Sequence, residues 1–251
     1  MAFVSLKSLW ALLARRNTKL VQQQPKKTKR ETTYKGAAKK KTSGLVPKTV
    51  MQGELIKALK ESQQVFILGP AGTGKTYVTA THAADLYTSK KIDKIVITRP
   101  HVAVGRELGF LKGDLAEKTM PWALPVLDVL EKHLGKGAVE TGVKNGNIEV
   151  APMALMRGRS FENAFIIVDE TQNITLHELK MLLTRVGEGT TIVLNGDAQQ
   201  SDLKEADGLT KVIHIAKKHM LPVNIIEFTV DDIVRSDITA MWVKAFVKEK
   251  L

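Results

Sequence analysis

The stretch Gly69-Pro-Ala-Gly-Thr-Gly-Lys-Thr76 constrains this chain more than any other. It satisfies the pattern G-x-x-x-x-G-K-[ST] at every fixed position, the spacing of a phosphate-binding loop. An apolar run, Val65-Phe-Ile-Leu68, precedes it and reads as a buried strand. The segment Tyr77–Tyr87 follows, with apolar residues at helical spacing. Strand, glycine-rich turn and helix together supply the context the motif requires. Gly69, Pro70, Ala71, Gly72, Thr73 and Gly74 are expected to turn backbone N–H groups inward around an anion. The helix N-terminus adds partial positive charge at the same point. Lys75 is expected to reach the β- and γ-phosphates of a nucleotide, and Thr76 to set its hydroxyl on Mg²⁺.

A phosphate loop only binds; hydrolysis also needs a carboxylate for the metal and a group that activates water. The run Ala164-Phe-Ile-Ile-Val-Asp-Glu170 offers both at the C-terminal end of an apolar strand, where α/β folds place their ligands. Neighbours on an extended chain point to opposite sides. Asp169 is therefore expected on Mg²⁺ and Glu170 on the attacking water. A third apolar strand ends in Asn195-Gly-Asp-Ala-Gln-Gln-Ser-Asp202. Lying beside the loop strand, it would bring Asn195, Asp197 or Gln200 near the γ-phosphate, where a glutamine positions water.

Further strands are expected at 94–98, 148–151 and 223–228, and helices at 52–60, 120–134, 176–186, 209–219 and 237–248. Most of the strand segments are continuous apolar runs, the signature of strands covered on both faces. Alternation of the two element types predicts a three-layer α/β domain with a mainly parallel sheet. Thr175 and Glu178 form a T-x-x-E capping box that fixes the start of the helix at 176. The irregular stretch 99–147 reads as a substrate-facing insertion on one sheet edge.

The formal charge of +12 is concentrated at one end. Residues 1–49 hold 13 Lys/Arg and a single acid, Glu31, whereas the rest holds 25 of each sign. The chain thus divides into a basic arm, residues 1–45, expected to be largely disordered, and a neutral domain, 46–251. The arm reads either as a phosphate-contacting tether for nucleic acid or as a solubilising or localising tail. Residues 1–16 suit a short amphipathic docking helix or, being basic and free of acids, an organellar transit peptide. No apolar run approaches the ~18 residues of a membrane span. Absence of cysteine excludes disulfides and thiolate metal sites. A cytoplasmic setting is the expectation, and the six histidines show no ligand spacing.

Several motifs in combination resemble the PhoH family of P-loop ATPases. They are Pro47-Lys-Thr with Gln52, the loop 69–76, Thr98-Arg-Pro100, Gly109-Phe-Leu with Gly113-Asp-Leu-Ala-Glu-Lys118, and Met156-Arg-Gly-Arg159. Val168-Asp-Glu with Gln172-Asn173, Gly196-Asp197 with Gln200, and Ile233-Val-Arg235 complete the set. The resemblance covers about Pro47 to Arg235 and implies a bacterial or phage protein with a RecA-like core, related to superfamily 1 helicase motors. It implies ATP binding and hydrolysis, links to RNA, and a homo-oligomer, a hexameric ring in relatives. By motif position Gln52 resembles an adenine-reading glutamine, Gln200 the glutamine of helicase motif III, and Arg235 an arginine finger. Arg99, Arg106, Arg157 and Arg159 fall in segments expected to face nucleic acid. Ser236-Asp237 departs from the His-Pro expected after the arginine.

One motor unit holding only half a site would need the finger of a neighbour, a head-to-tail contact that closes into a ring. The reading is therefore an ATPase coupled to unwinding or remodelling of RNA or single-stranded nucleic acid. The alternative is an ATP-gated oligomeric switch with slow turnover. A phosphotransferase is the third class, disfavoured by the acid pair and the glutamine-bearing strand end.

Overall fold

The structure, a computed structural model, describes residues 44–100, 115–197 and 208–249, with backbone alone for 115–120. Most of the basic arm, the docking helix at 1–16, Arg106 and Gln200 lie outside the described residues.

Six strands form one sheet: β1 (Gln64–Leu68), β2 (Lys94–Thr98), β3 (Ile148–Val150), β4 (Ala164–Val168), β5 (Thr191–Gly196) and β6 (Asn224–Glu227). Their order is β3-β2-β4-β5-β1-β6, and every pairing is parallel. Seven α-helices are described: α1 (Val50–Glu61), α2 (Lys75–Thr88), α3 (Leu115–Leu134), α4 (Lys136–Asn145), α5 (Leu176–Leu183), α6 (Gly208–Lys218) and α7 (Asp237–Glu249). Helices α1 to α4 cover one sheet face, packing on Val65, Ile67, Ile95, Ile97, Phe165, Ile167 and Val193. Helices α5 and α6 cover the other, on Phe66, Val96, Ile166, Val168, Ile192 and Leu194. Alternate strand residues thus feed two separate cores, which is why the strands read as unbroken apolar runs. Each such fully buried side chain contributes on the order of 1.5–3 kcal/mol. The three-layer α/β architecture matches the sequence expectation.

The insertion differs from expectation. Its described part is not an edge decoration. Helix α3 begins earlier than the pattern suggested and runs through Pro121 and Pro125. It buries Ala123, Val126, Leu127 and Leu130 against α2 and the sheet. Helix α4 escaped the periodicity because Gly137 and Gly142 dilute its pattern. Val139 and Val143 anchor it, and Gly146 in the left-handed region ends it.

Parallel pairing brings the C-terminal ends of β1, β2, β4 and β5 to one end of the sheet. Leu68 lies opposite Gly196, Val168 opposite Leu194, and Thr98 opposite Val168. The residues that follow these strands form the site.

Candidate nucleotide site

The loop leaves β1 through Gly69, at φ +136, where a side chain would strike Phe228 at 2.6 Å. Glycine is required here both for the backbone angle and for the close approach. Thr73 donates from Oγ1 to the Pro70 carbonyl (3.1 Å), and Gly69 N–H donates to Gly196 O (3.2 Å). Lys75 and Thr76 then open helix α2. The ammonium of Lys75 donates to the carbonyls of Gly69 (2.5 Å) and Pro70 (2.9 Å). Burial lowers its pKa, against the opposing pull of Asp197, Asp169 and Glu170. The phosphate-loop lysine and three acids from two other strand ends therefore share one electrostatic neighbourhood.

Asp169 continues β4 by one pairing, its N–H donating to Thr98 O (3.0 Å). Burial pushes its carboxyl above the usual range and the Glu170 charge adds to this, while Arg99 and Lys75 oppose them. Glu170 turns the chain at φ 54, in the left-handed region that few non-glycine residues adopt. The short 3-10 turn Thr171–Asn173 follows, closed by Asn173 N–H to Glu170 O (3.1 Å). The left-handed turn at Glu170, not strand alternation, sets the direction of the second acid, and its charge still acts on Asp169.

Sequence reasoning gave Gln172 no role, yet the structure does. Its Nε2 donates to Glu170 Oε2 at 2.6 Å, and its Oε1 accepts from Asp197 N at 3.1 Å. One buried carboxamide thus spans Glu170 and the end of β5. The signal available in sequence was only its position two residues past the acid pair. Asn195 is wholly buried in β5, with neither amide atom hydrogen-bonded. Register sets it one residue beyond the Val168–Leu194 pair, level with Asp169. Buried amides without partners call for an explanation, and no described protein group within hydrogen-bond reach supplies one for this amide.

Gln52 is buried against the loop. Its Oε1 accepts from Lys48 N (2.8 Å) and its Nε2 donates to Thr73 O (2.9 Å). Beside it opens a cavity of about 390 Å³, whose lining includes Leu45, Gln52, Tyr77, Thr81, His133 and Val234. The His133 ring is fixed by Thr81 Oγ1 at 3.1 Å and tilts against Tyr77, with ring centres 5.9 Å apart.

The arginines separate. Arg99 lies with a guanidinium nitrogen 3.8 Å from Glu170 Oε1, so the structure brings it to the acid pair. Arg157 is exposed on the sheet's β3 side, after the 3-10 turn Met153–Met156. Arg159 corrects the sequence expectation. It makes a two-pronged pair with Glu149 (2.6 and 2.9 Å) and stacks over Phe161 at 4.8 Å. Burial works to raise the Glu149 carboxyl, but the Arg159 bonds, with Lys94 beside them, outweigh it and hold it below its usual range. A guanidinium so engaged is not presented to a phosphate backbone. The Arg235 side chain lies on the loop of its own chain, over Gly72.

The residues fit a magnesium nucleotide. A glycine-framed backbone and a buried cation lie beside a buried carboxylate whose pKa desolvation raises, and Thr76 opens the same helix as the cation. Among the described residues no cluster of three or more His, Cys, Asp or Glu could hold a metal alone. This suits Mg²⁺, which takes one or two protein oxygens and completes its shell with phosphate and water.

The profile of the PhoH-like protein family matches residues 44–247. The chain belongs to the PhoH family. It is 41% identical over 199 residues to "Protein PhoH" of Escherichia coli strain K12, covering 78% of this chain and 56% of that one. It is 40% identical over 205 residues to a "PhoH-like protein" of Bacillus subtilis, covering 80% and 64%. The chain therefore spans little more than half the length of these PhoH relatives. Among solved structures, the large terminase of a thermophilic bacteriophage aligns with a TM-score of 0.50 at 12% identity, over 79% of this chain and 50% of that one. At that identity the likeness concerns the fold alone. The PhoH chain here has the RecA-like P-loop core expected of it.

Proposed function

We propose that this chain binds ATP with Mg²⁺ at the loop 69–76, hydrolyses it, and uses the turnover to unwind or remodel RNA or single-stranded nucleic acid. The observation that carries the reading is the convergence of Lys75, Asp169, Glu170 and Asp197 at one end of a parallel sheet. The cavity beside the loop has the volume of a small-ligand pocket and takes the adenine. Tyr77 and His133 offer ring surface, and the amide hydrogen that Gln52 has not spent on Thr73 is available to the base edge. Asp169 and Thr76 hold Mg²⁺, which neutralises charge on the β- and γ-phosphates. Lys75 follows that charge as it grows. Glu170 accepts a proton from water as the water oxygen attacks the γ-phosphorus and the bond to ADP breaks.

Arg99, Arg106 and Arg157 are the nucleic-acid candidates within the domain, and the basic arm is the tether. Family resemblance favours a homo-oligomer, a hexameric ring, and the cysteine-free composition suits the cytoplasm. Slow, ATP-gated switching is the second reading. It is favoured by the engagement of both Glu170 oxygens, one by Gln172 and one by Arg99.

Steady-state ATPase rate with and without single-stranded RNA, for wild type and Glu170→Gln, separates the readings. RNA-stimulated turnover that the substitution abolishes supports the motor. Slow turnover indifferent to RNA supports the switch, and no turnover by the wild type refutes both.

A further inference from the structure

The segment after β6 does not leave the site. It runs along the phosphate loop residue by residue. Phe228 N–H donates to Leu68 O (2.8 Å), and the Phe228 backbone is what a side chain at Gly69 would strike. The 3-10 turn Val230–Asp232 is fixed by its own capping box: Thr229 N donates to Asp232 Oδ2 (3.0 Å), and Asp231 N to Thr229 Oγ1 (3.3 Å). Val234 N–H then donates to Gly72 O (3.0 Å), and Val234 closes one side of the cavity. Arg235 follows at once. Its Cγ, Cδ and Nε lie 3.0–3.1 Å from where a Cβ on Gly72 would stand. Gly72, at φ +90, leaves room for that stem. Arg235 is exposed, and among the described residues no carboxylate pairs with it. Lys244 of α7 pairs with Asp231 of the turn at 3.0 Å.

Two backbone hydrogen bonds and a capped turn hold this strap to its own loop. In this arrangement the strap keeps the stem of Arg235 against its own loop, over Gly72 and beside the cavity that Val234 lines. We infer that Arg235 acts in cis: it contacts the β,γ-phosphates of the ATP bound by its own subunit, and strap 228–235 carries it there from the base pocket. This rests on the ATPase reading above and changes its geometry: the arginine is not what a neighbouring subunit contributes. Lys75 sits at the inner wall of the loop, and Arg235 meets the phosphates from the outer rim, where charge builds on the leaving oxygen.

The test is subunit mixing. Arg235→Ala and Lys75→Ala chains, carrying different tags, are co-expressed and the mixed assemblies isolated through both tags. Arg235→Ala alone should lose about 10³-fold in turnover, the scale of such an arginine. In cis, every subunit of the mixture lacks one essential cation, and the mixture stays as inactive as either parent. In trans, random mixing restores about one quarter of sites, as for any heterologous interface, and that recovery overturns the inference. Wild-type turnover by Arg235→Ala overturns it too. Arg235→Gln serves should the alanine variant fail to fold. A wild-type chain that binds a fluorescent ATP analogue without hydrolysing it sinks the ATPase reading, not this one. In that case, under dilution to monomer, weaker analogue binding by Arg235→Gln supports cis contact, and unchanged binding refutes it.

Discussion

Gln172 is the residue on which the acid pair depends most. A carboxylate acting on water needs a fixed direction, and Glu170 takes its direction from a 2.6 Å bond to this amide. Truncating Gln172 to alanine should reduce kcat by about 10²-fold with little change in KM, because positioning is lost and binding is not; steady-state kinetics reads the split. Asp169 sets the response to acid. Burial raises its pKa above that of an ordinary aspartate, so its protonation favours the fold at low pH and that contribution is lost as pH climbs through the raised value. Mg²⁺ needs the ionised form. The Mg²⁺-dependent increment in Tm with ATP should therefore fade on acidification at a pH where an ordinary aspartate, about 3.9, is still charged. Thermal melts with Mg²⁺ or EDTA over about pH 4 to 7 test this, and Asp169→Asn should flatten the profile.

Elements were legible wherever their cause was local. The loop, the acid pair and the four inner strands β1, β2, β4 and β5 announce themselves over short spans, because burial on both faces writes itself as an apolar run, whereas the edge strands β3 and β6 are only partly buried and interrupted by polar residues. The start of α5 was legible for the same reason: Thr175 and Glu178 form the box the sequence spells, with Glu178 N–H on Thr175 Oγ1 at 3.2 Å. Thr175→Ala should cost about 1 kcal/mol, a fall of roughly 2–4 °C in Tm for a domain of this size. The same cap sits just beyond Gln172, so a drop in kcat should accompany the drop in Tm. What sequence could not show is partnership at a distance. Gln172 meets a backbone 25 residues away, and Arg159 finds Glu149 across a turn. Arg235 reaches Gly72 only because β6 lies beside β1, a fact of strand order that no local pattern carries.

At the scale of the whole molecule, charge and connectivity make separate demands. If the arm is a tether, deleting residues 1–45 should weaken RNA binding and flatten its dependence on salt, each lost phosphate contact removing roughly 0.7 from the slope of log affinity against log salt for a single strand; binding isotherms at several salt concentrations check it. The loop strand imposes the other demand. In the described sheet, β1 pairs with β5 and β6 alone, the last strands in the chain. A ribosome therefore releases the phosphate loop long before anything exists to brace it. Helix α2 can form early, but Gly69 and Gly72 acquire their hydrogen-bonding partners only when residues 196, 228 and 234 arrive. Contacts of such long reach close late in folding. The motif is thus necessary before it is sufficient: a nascent chain cut short before β6 carries all of 69–76 and should capture ATP poorly.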